Sequence, residues 1–167
     1  MENYRRYLSG DESAFDALIR QYRHSLTFFL MRYVKDPATA EELAIDVFAE
    51  LVLHPRRYNF KVSLKTYLFM IGRSRAIDYL RRQKRNEPLA EDLSYEEQFF
   101  SNEQKRALHT ALSALPEEMQ EAVYLVYFEE LSYKEAAGVL KKTPKQVDNL
   151  LYRAKGLLRK ELEHENG

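Results

Sequence analysis

The sequence contains no cysteine, which excludes disulfide bonds, thiolate zinc sites, a cysteine nucleophile and direct cysteine redox sensing. That absence fits the cytoplasm. No apolar run approaches the length of about 18 residues that marks a membrane span, and the opening MENYRRYLSGDES lacks the apolar core of a signal peptide. The expectation is a protein neither exported nor inserted in a membrane. Glycine is scarce, with five in 167 residues, and none lies in a phosphate-cradling loop. The four histidines, His24, His54, His109 and His164, fall in separate predicted elements, and no carboxylate pair accompanies a nucleophile. Neither an enzyme, a metal site nor a cofactor is therefore expected. Net charge is missing as well, since 26 Lys and Arg balance 26 Asp and Glu. The balance conceals a segregation along the chain, and a partner meets the local field rather than the total. At 45% hydrophobic composition the chain can bury a core, as one domain or two small ones.

The most informative stretch is LSYKEAAGVLKKTPKQVDNLLYRAKGLLRK, residues 131–160. Ser132 followed by Glu135 forms a capping box, and Thr143 followed by Gln146 repeats it. Pro144 stands where a first helical residue needs no N–H. One helix must end near Lys141 and a second begin at Pro144. Ala136, Ala137 and Leu140, then Val147, Leu151, Ala154, Leu157 and Leu158, give each helix one apolar face. The outer face of the second helix carries Lys145, Asp148, Asn149, Tyr152, Arg153, Arg159 and Lys160. Two helices joined by a tight corner, the second long and basic, read as a helix-turn-helix with a recognition helix. An ordinary helical hairpin with a solvated charged face is the alternative. Seven basic residues against Asp148 alone between Lys141 and Lys160 make a surface that phosphate attracts.

Earlier in the chain, Asp11 or Ser13 can cap a helix whose stripe is Phe15, Leu18, Ile19, Tyr22, Leu26, Phe29, Leu30 and Tyr33. Asp36 caps and Pro37 opens a second helix that runs to Leu53, where His54-Pro55 stops it. Its apolar face is Ala40, Leu43, Val47, Phe48 and Leu51. Glu41, Glu42, Asp46 and Glu50 lie elsewhere around it, as a solvated face or as a docking surface for a basic protein. Residues 54–63, HPRRYNFKVS, make a loop of cations, aromatics and an amide, and Ser63 caps a third helix reaching about Arg85. Ten basic residues face one acid, Asp78, between Arg56 and Arg85. Rings interleaved with cations suit single-stranded nucleic acid, whose bases stack while its backbone follows the charge. Residues 86–104 reverse the sign, with Glu87, Glu91, Asp92, Glu96, Glu97 and Glu103 and no lysine or arginine. They read as an acidic linker, part of which, at Phe99 and Phe100, should lie on a domain surface. Ala107, Leu108, Ala111, Leu112 and Leu115 outline a helix broken at Pro116, and Met119, Val123, Val126 and Tyr127 the next.

AEELAIDVF at 40–48, YLFMIGRSRAIDYLRR at 67–82 and the segment from Leu115 to Arg159, in this order and with an acidic linker between, resemble the extracytoplasmic-function (ECF) sigma factors of bacterial RNA polymerase. The resemblance runs from about Phe15 to Leu162. It implies an all-α protein of two small helical domains, residues 1–86 and 104–167, joined by the linker at 87–103, the second a four-helix helix-turn-helix domain. It further implies docking of the helix at 37–53 on the clamp helices of the largest polymerase subunit, through Glu41, Glu42, Asp46 and Glu50. Tyr58, Asn59, Phe60, Lys61 and Ser63 would capture an unstacked base of the minus-10 element, with Lys65, Arg73, Arg75, Arg81 and Arg82 along the strand. Lys145, Asp148, Asn149, Tyr152 and Arg153 would face the minus-35 duplex. Core RNA polymerase, promoter DNA and an anti-sigma factor are the implied partners, the last offering a possible tether at the membrane.

The chain departs from the family pattern in places. Ile45 stands where Gln is common, and Asp148 and Leu150 occupy positions that are usually basic. The promoter sequence therefore does not carry over. Two rival readings remain: a helix-turn-helix repressor or activator with a helical sensor domain, and a helical adaptor whose basic faces meet acidic proteins. A repressor has no use for the basic loop and third helix. The adjacency of acidic linker and basic segments also raises an expectation that the linker covers a DNA-binding face in the absence of polymerase.

Overall fold

The computed structural model describes residues 1–84, Ala107 and residues 110–165. The acidic linker at 87–103, with Phe99 and Phe100, and the expected helical positions Arg85 and Leu108 lie outside the described residues. The chain divides into two compact units at residues 89 and 90, and every described element is helical.

The first unit begins with α1 (Glu2–Leu8), a helix in the opening stretch to which the sequence analysis assigns no element. Gly10 turns the chain with φ at +108°, a value that L side chains rarely adopt. Asp11 then accepts from the Ser13 backbone N–H at 3.1 Å to cap α2 (Glu12–Val34), so Asp11 and not Ser13 is the cap. α3 spans Pro37–Leu53, bounded as its flanking prolines dictate. Asp36 is the N-cap residue, as expected, but its carboxylate accepts from the Thr39 hydroxyl at 2.5 Å and not from a backbone N–H. A 3-10 turn at Pro55–Arg57 leads into the loop before α4 (Leu64–Gln83). Ser63 accepts from the Thr66 N–H at 3.1 Å to start α4, and the helix stops two residues short of Arg85.

α2 packs against α1, α3 and α4. Leu18, Leu26, Phe29 and Leu30 of its stripe are buried, while Phe15, Ile19, Tyr22 and Tyr33 are half-buried at the edge. They meet Ala40, Leu43, Ala44, Val47, Phe48 and Leu51 of α3 and Leu64, Leu68, Phe69 and Ala76 of α4, all buried. Each large side chain so buried is worth about 1.5–3 kcal/mol over leaving it in water. Gly72 lets α4 approach α2 closely: a Cβ there would lie 3.0 Å from Leu26 Cδ1 and 3.3 Å from Leu30 Cδ2.

In the second unit, residues 110–113 are helical and Pro116 precedes α5 (Glu117–Val123). α5 runs directly into a π turn, Tyr124–Phe128. The wider turn, closed by Glu129 N–H to Tyr124 O at 3.0 Å, rotates the following residues. Tyr124 and Leu125 are buried, whereas Val126 is half-buried and Tyr127 exposed, against the face expected from a uniform helical period. α6 (Tyr133–Leu140) and α7 (Pro144–Glu165) complete the unit. Both reciprocal caps form. Glu135 N–H donates to Ser132 Oγ at 3.0 Å and Ser132 N–H to Glu135 Oε1 at 3.2 Å. Gln146 N–H donates to Thr143 Oγ1 at 3.1 Å and Thr143 N–H to Gln146 Oε1 at 2.8 Å. Between them Lys141 takes the left-handed conformation, φ +56°, and Lys142 N–H reaches back to Ala137 O at 2.9 Å. Val147, Leu150, Leu151 and Ala154 of α7 are buried; Leu157 is exposed and Leu158 half-buried.

Candidate functional site

The loop between α3 and α4 is held from both ends. At its start, Glu50 of α3 accepts from Arg57, and also from Arg75 of α4 at 2.6 Å. The Arg57 hydrogen bond, and after it Arg75, holds the Glu50 carboxyl below the ordinary 4.5 against a smaller opposing effect of burial. Glu50 and Arg75, expected to face different partners, are engaged with each other in this structure. In the middle of the loop, Tyr58 is only 3% exposed and donates to Val62 O at 2.7 Å. Burial pushes the phenols of Tyr58 and Tyr67 up. Tyr58 is a floor residue of the loop, not a ring offered to a base. Sequence could not reveal this, because an aromatic among cations reads alike as buried or displayed.

Phe60 is the ring the loop displays, 46% exposed, with its backbone at φ +63°. Asn59 is exposed, and its Oδ1 accepts from Lys61 N–H at 3.0 Å to close the turn. Lys61 and Ser63 are exposed, Lys65 and Arg73 half-buried. Arg81 and Arg82 are exposed near the end of α4, with Arg81 at 3.7 Å from Asp78. Chemically this is a displayed ring and amide followed by a line of cations, suited to a stacked base and its phosphates.

α3 presents another surface. Glu42, Ile45, Asp46, Ala49, Val52 and Leu53 are exposed at helical spacing, with Ile45 at 52% and Leu53 at 71%. Exposed aliphatic side chains flanked by carboxylates on one helix suit a protein contact. Glu41 is half-buried at the margin. Sequence reasoning found the acids of this stripe and missed its apolar members, which the i, i+3, i+4, i+7 spacing from Glu42 could have disclosed.

On α7, Lys145, Asp148, Asn149, Tyr152 and Arg153 are all exposed, Tyr152 at 81%. Asn149 and Arg153 line a groove with Glu118, Lys142 and Gln146, and Lys142 Nζ pairs with Glu118 Oε1 at 3.0 Å across it. Lys155 sits 5.4 Å from the ring centre of Tyr127, and that hydroxyl raises the ammonium's pKa. A helix with a buried back and a front of cation, amide and phenol is what a major groove admits.

Comparison with known proteins finds a family match in each of the two units. The Sigma-70 region 2 family matches residues 18–86, and the Sigma-70, region 4 family matches residues 105–158. The ECF RNA polymerase sigma factor SigM of Bacillus subtilis is 28% identical over 86% of this chain and 92% of its own length. The ECF RNA polymerase sigma factor RpoE of Cereibacter sphaeroides is 30% identical over 77% of this chain and 75% of its own. Among solved structures, the sigma factor RpoE in complex with the anti-sigma factor NepR from Bartonella quintana aligns with a TM-score of 0.70 at 21% identity, covering 89% of this chain and 96% of that one. Sigma factors are DNA-binding regulators. With a region 2 helical unit followed by a region 4 helix-turn-helix, the chain belongs to the ECF sigma factors of RNA polymerase.

Proposed function

We propose that this chain docks on core RNA polymerase through the exposed stripe of α3, with Glu42, Ile45, Asp46 and Leu53 against the clamp helices of the largest subunit. The loop at Asn59–Lys61 takes an unstacked base of the minus-10 element, and Arg81 and Arg82 follow the strand. The exposed face of α7, Lys145, Asp148, Asn149, Tyr152 and Arg153, reads the minus-35 duplex. One observation carries this reading: a single small unit displays an acidic and aliphatic surface on α3 and a basic, aromatic one on the loop and α4. Such a unit bridges a basic protein and a nucleic acid. The phosphoryl chemistry then belongs to the polymerase, and the chain acts as a specificity factor in the cytoplasm. Among the described residues no helix is long and apolar enough to cross a membrane. The Bartonella sigma factor is bound to an anti-sigma factor, which supports a protein inhibitor for this chain too; a membrane tether would run through that inhibitor.

The test is RNA synthesis by core enzyme on fragmented genomic DNA, with and without the chain. Discrete new start sites are expected, weakened by Phe60→Ala and redistributed by Arg153→Ala. Tight duplex binding by the chain alone, with no change in transcripts, would replace this reading with that of a repressor.

A further inference from the structure

The region 2 match begins at residue 18, so α1 stands outside it, yet α1 reaches the loop. We propose that α1 is a strut that holds the strand-capturing loop in its binding shape, with Tyr4 as the positioning residue. The inference rests on the reading of that loop as the site of base capture. Tyr4 is 0% exposed, its ring centre 5.7 Å from Tyr58, edge-on, and 6.0 Å from Phe60. Tyr58 in turn lies 4.6 Å from Phe60 and 4.8 Å from Tyr67 of α4. The Tyr4 hydroxyl is buried with no hydrogen-bond partner among the described residues. The ring, and not the oxygen, therefore does the holding.

Phe60 needs holding. Its left-handed backbone, φ +63°, is unfavourable for an L residue, and phenylalanine has no polar side chain with which to offset it. A backbone of this kind persists only when its surroundings over-determine it. Remove the ring beneath, and Phe60 relaxes toward negative φ, taking its displayed face with it. α1 is itself fixed at the corner before α2, by the Arg6–Asp11 ion pair at 2.6 Å and by Tyr7 against Phe15 at 4.8 Å. A loop shaped before the strand arrives loses less freedom on binding, so the strut should raise affinity for an unstacked base without touching it.

The experiment uses holoenzyme assembled from the full chain and core polymerase. Its probe is a fluorescent single-stranded oligonucleotide that wild-type holoenzyme has selected from a randomised pool. Tyr4→Leu should weaken probe binding about tenfold, or 1.4 kcal/mol, with core affinity unchanged, while Tyr4→Phe binds as wild type. Probe affinity untouched by Tyr4→Leu, or core and probe affinity falling together, overturns the strut. Loss in Tyr4→Phe equal to that in Tyr4→Leu also overturns it, by assigning the role to the hydroxyl. Phe60→Ala is the separate control: full probe affinity there sinks the capture reading itself. Should Tyr4→Leu fail to fold, Tyr7→Ala loosens α1 from Phe15 without touching the loop and must give the same split.

Discussion

Glu50 is the residue whose chemistry departs furthest from its appearance in the sequence. It sits among the acids of α3, yet its two oxygens are committed to Arg57 and Arg75, which joins the loop's first turn to both flanking helices. Because its folded carboxyl titrates below the ordinary 4.5, the stability it contributes is present above that value and is lost as pH falls through the lowered one. Glu50→Gln should therefore lower the urea midpoint at pH 7, and the gap from wild type should close as the acid range is entered. A gap that stays constant down to pH of about 3, well below the usual carboxylate range, contradicts the assignment. Asp11, also lowered by Ser13 and then Arg6, is present in both proteins and cancels in the comparison.

At the scale of elements, local signals were legible where a side chain decides the backbone. α3 begins and ends at Pro37 and Leu53 because a proline sits at each boundary, and the corner from Ser132 to Gln146 follows from two reciprocal caps. Each cap is worth about 1 kcal/mol, so Ser132→Ala and Thr143→Ala should each lower the unfolding free energy of the second unit by roughly that amount, and together by the sum. Urea unfolding followed by circular dichroism checks this, and a change under about 0.3 kcal/mol for either would show that side chain not to hold its helix end. Three features escaped sequence reasoning for stated physical reasons. The π turn at Tyr124–Phe128 breaks the period on which any face assignment depends. α1 is short, and only Tyr4 of its residues is buried. Tyr58 turns inward because Tyr4, Phe60 and Tyr67 surround it, a fact of tertiary contact with no local mark. The exposed positions on α7 were legible for the opposite reason: the buried back of that helix, Val147, Leu151 and Ala154, leaves them nowhere else to face.

For the whole molecule, a net charge of zero coexists with a basic loop and α4, a basic stretch at residues 141–160 and an acidic stripe on α3. Salt should thus weaken DNA binding steeply although the protein is neutral, because each phosphate neutralised releases counterions. Arg82→Gln, at an exposed position, is expected to reduce the slope of log K against log salt by about one unit without changing the promoter selected. An unchanged slope would remove Arg82 from the strand path. In the proposed reading, the same segregation lets one factor meet polymerase and DNA through surfaces whose signs do not compete.

The most direct measurement is co-elution with bacterial core RNA polymerase on size exclusion, for the wild type and for the double variant Glu42→Lys with Asp46→Lys. Both residues are exposed on α3 and outside its packed face, so the variant should fold as wild type does. The account predicts a stoichiometric complex for the wild type and its loss in the variant. A folded variant that co-elutes as well as wild type, or a wild type that ignores competent core, would contradict docking through α3.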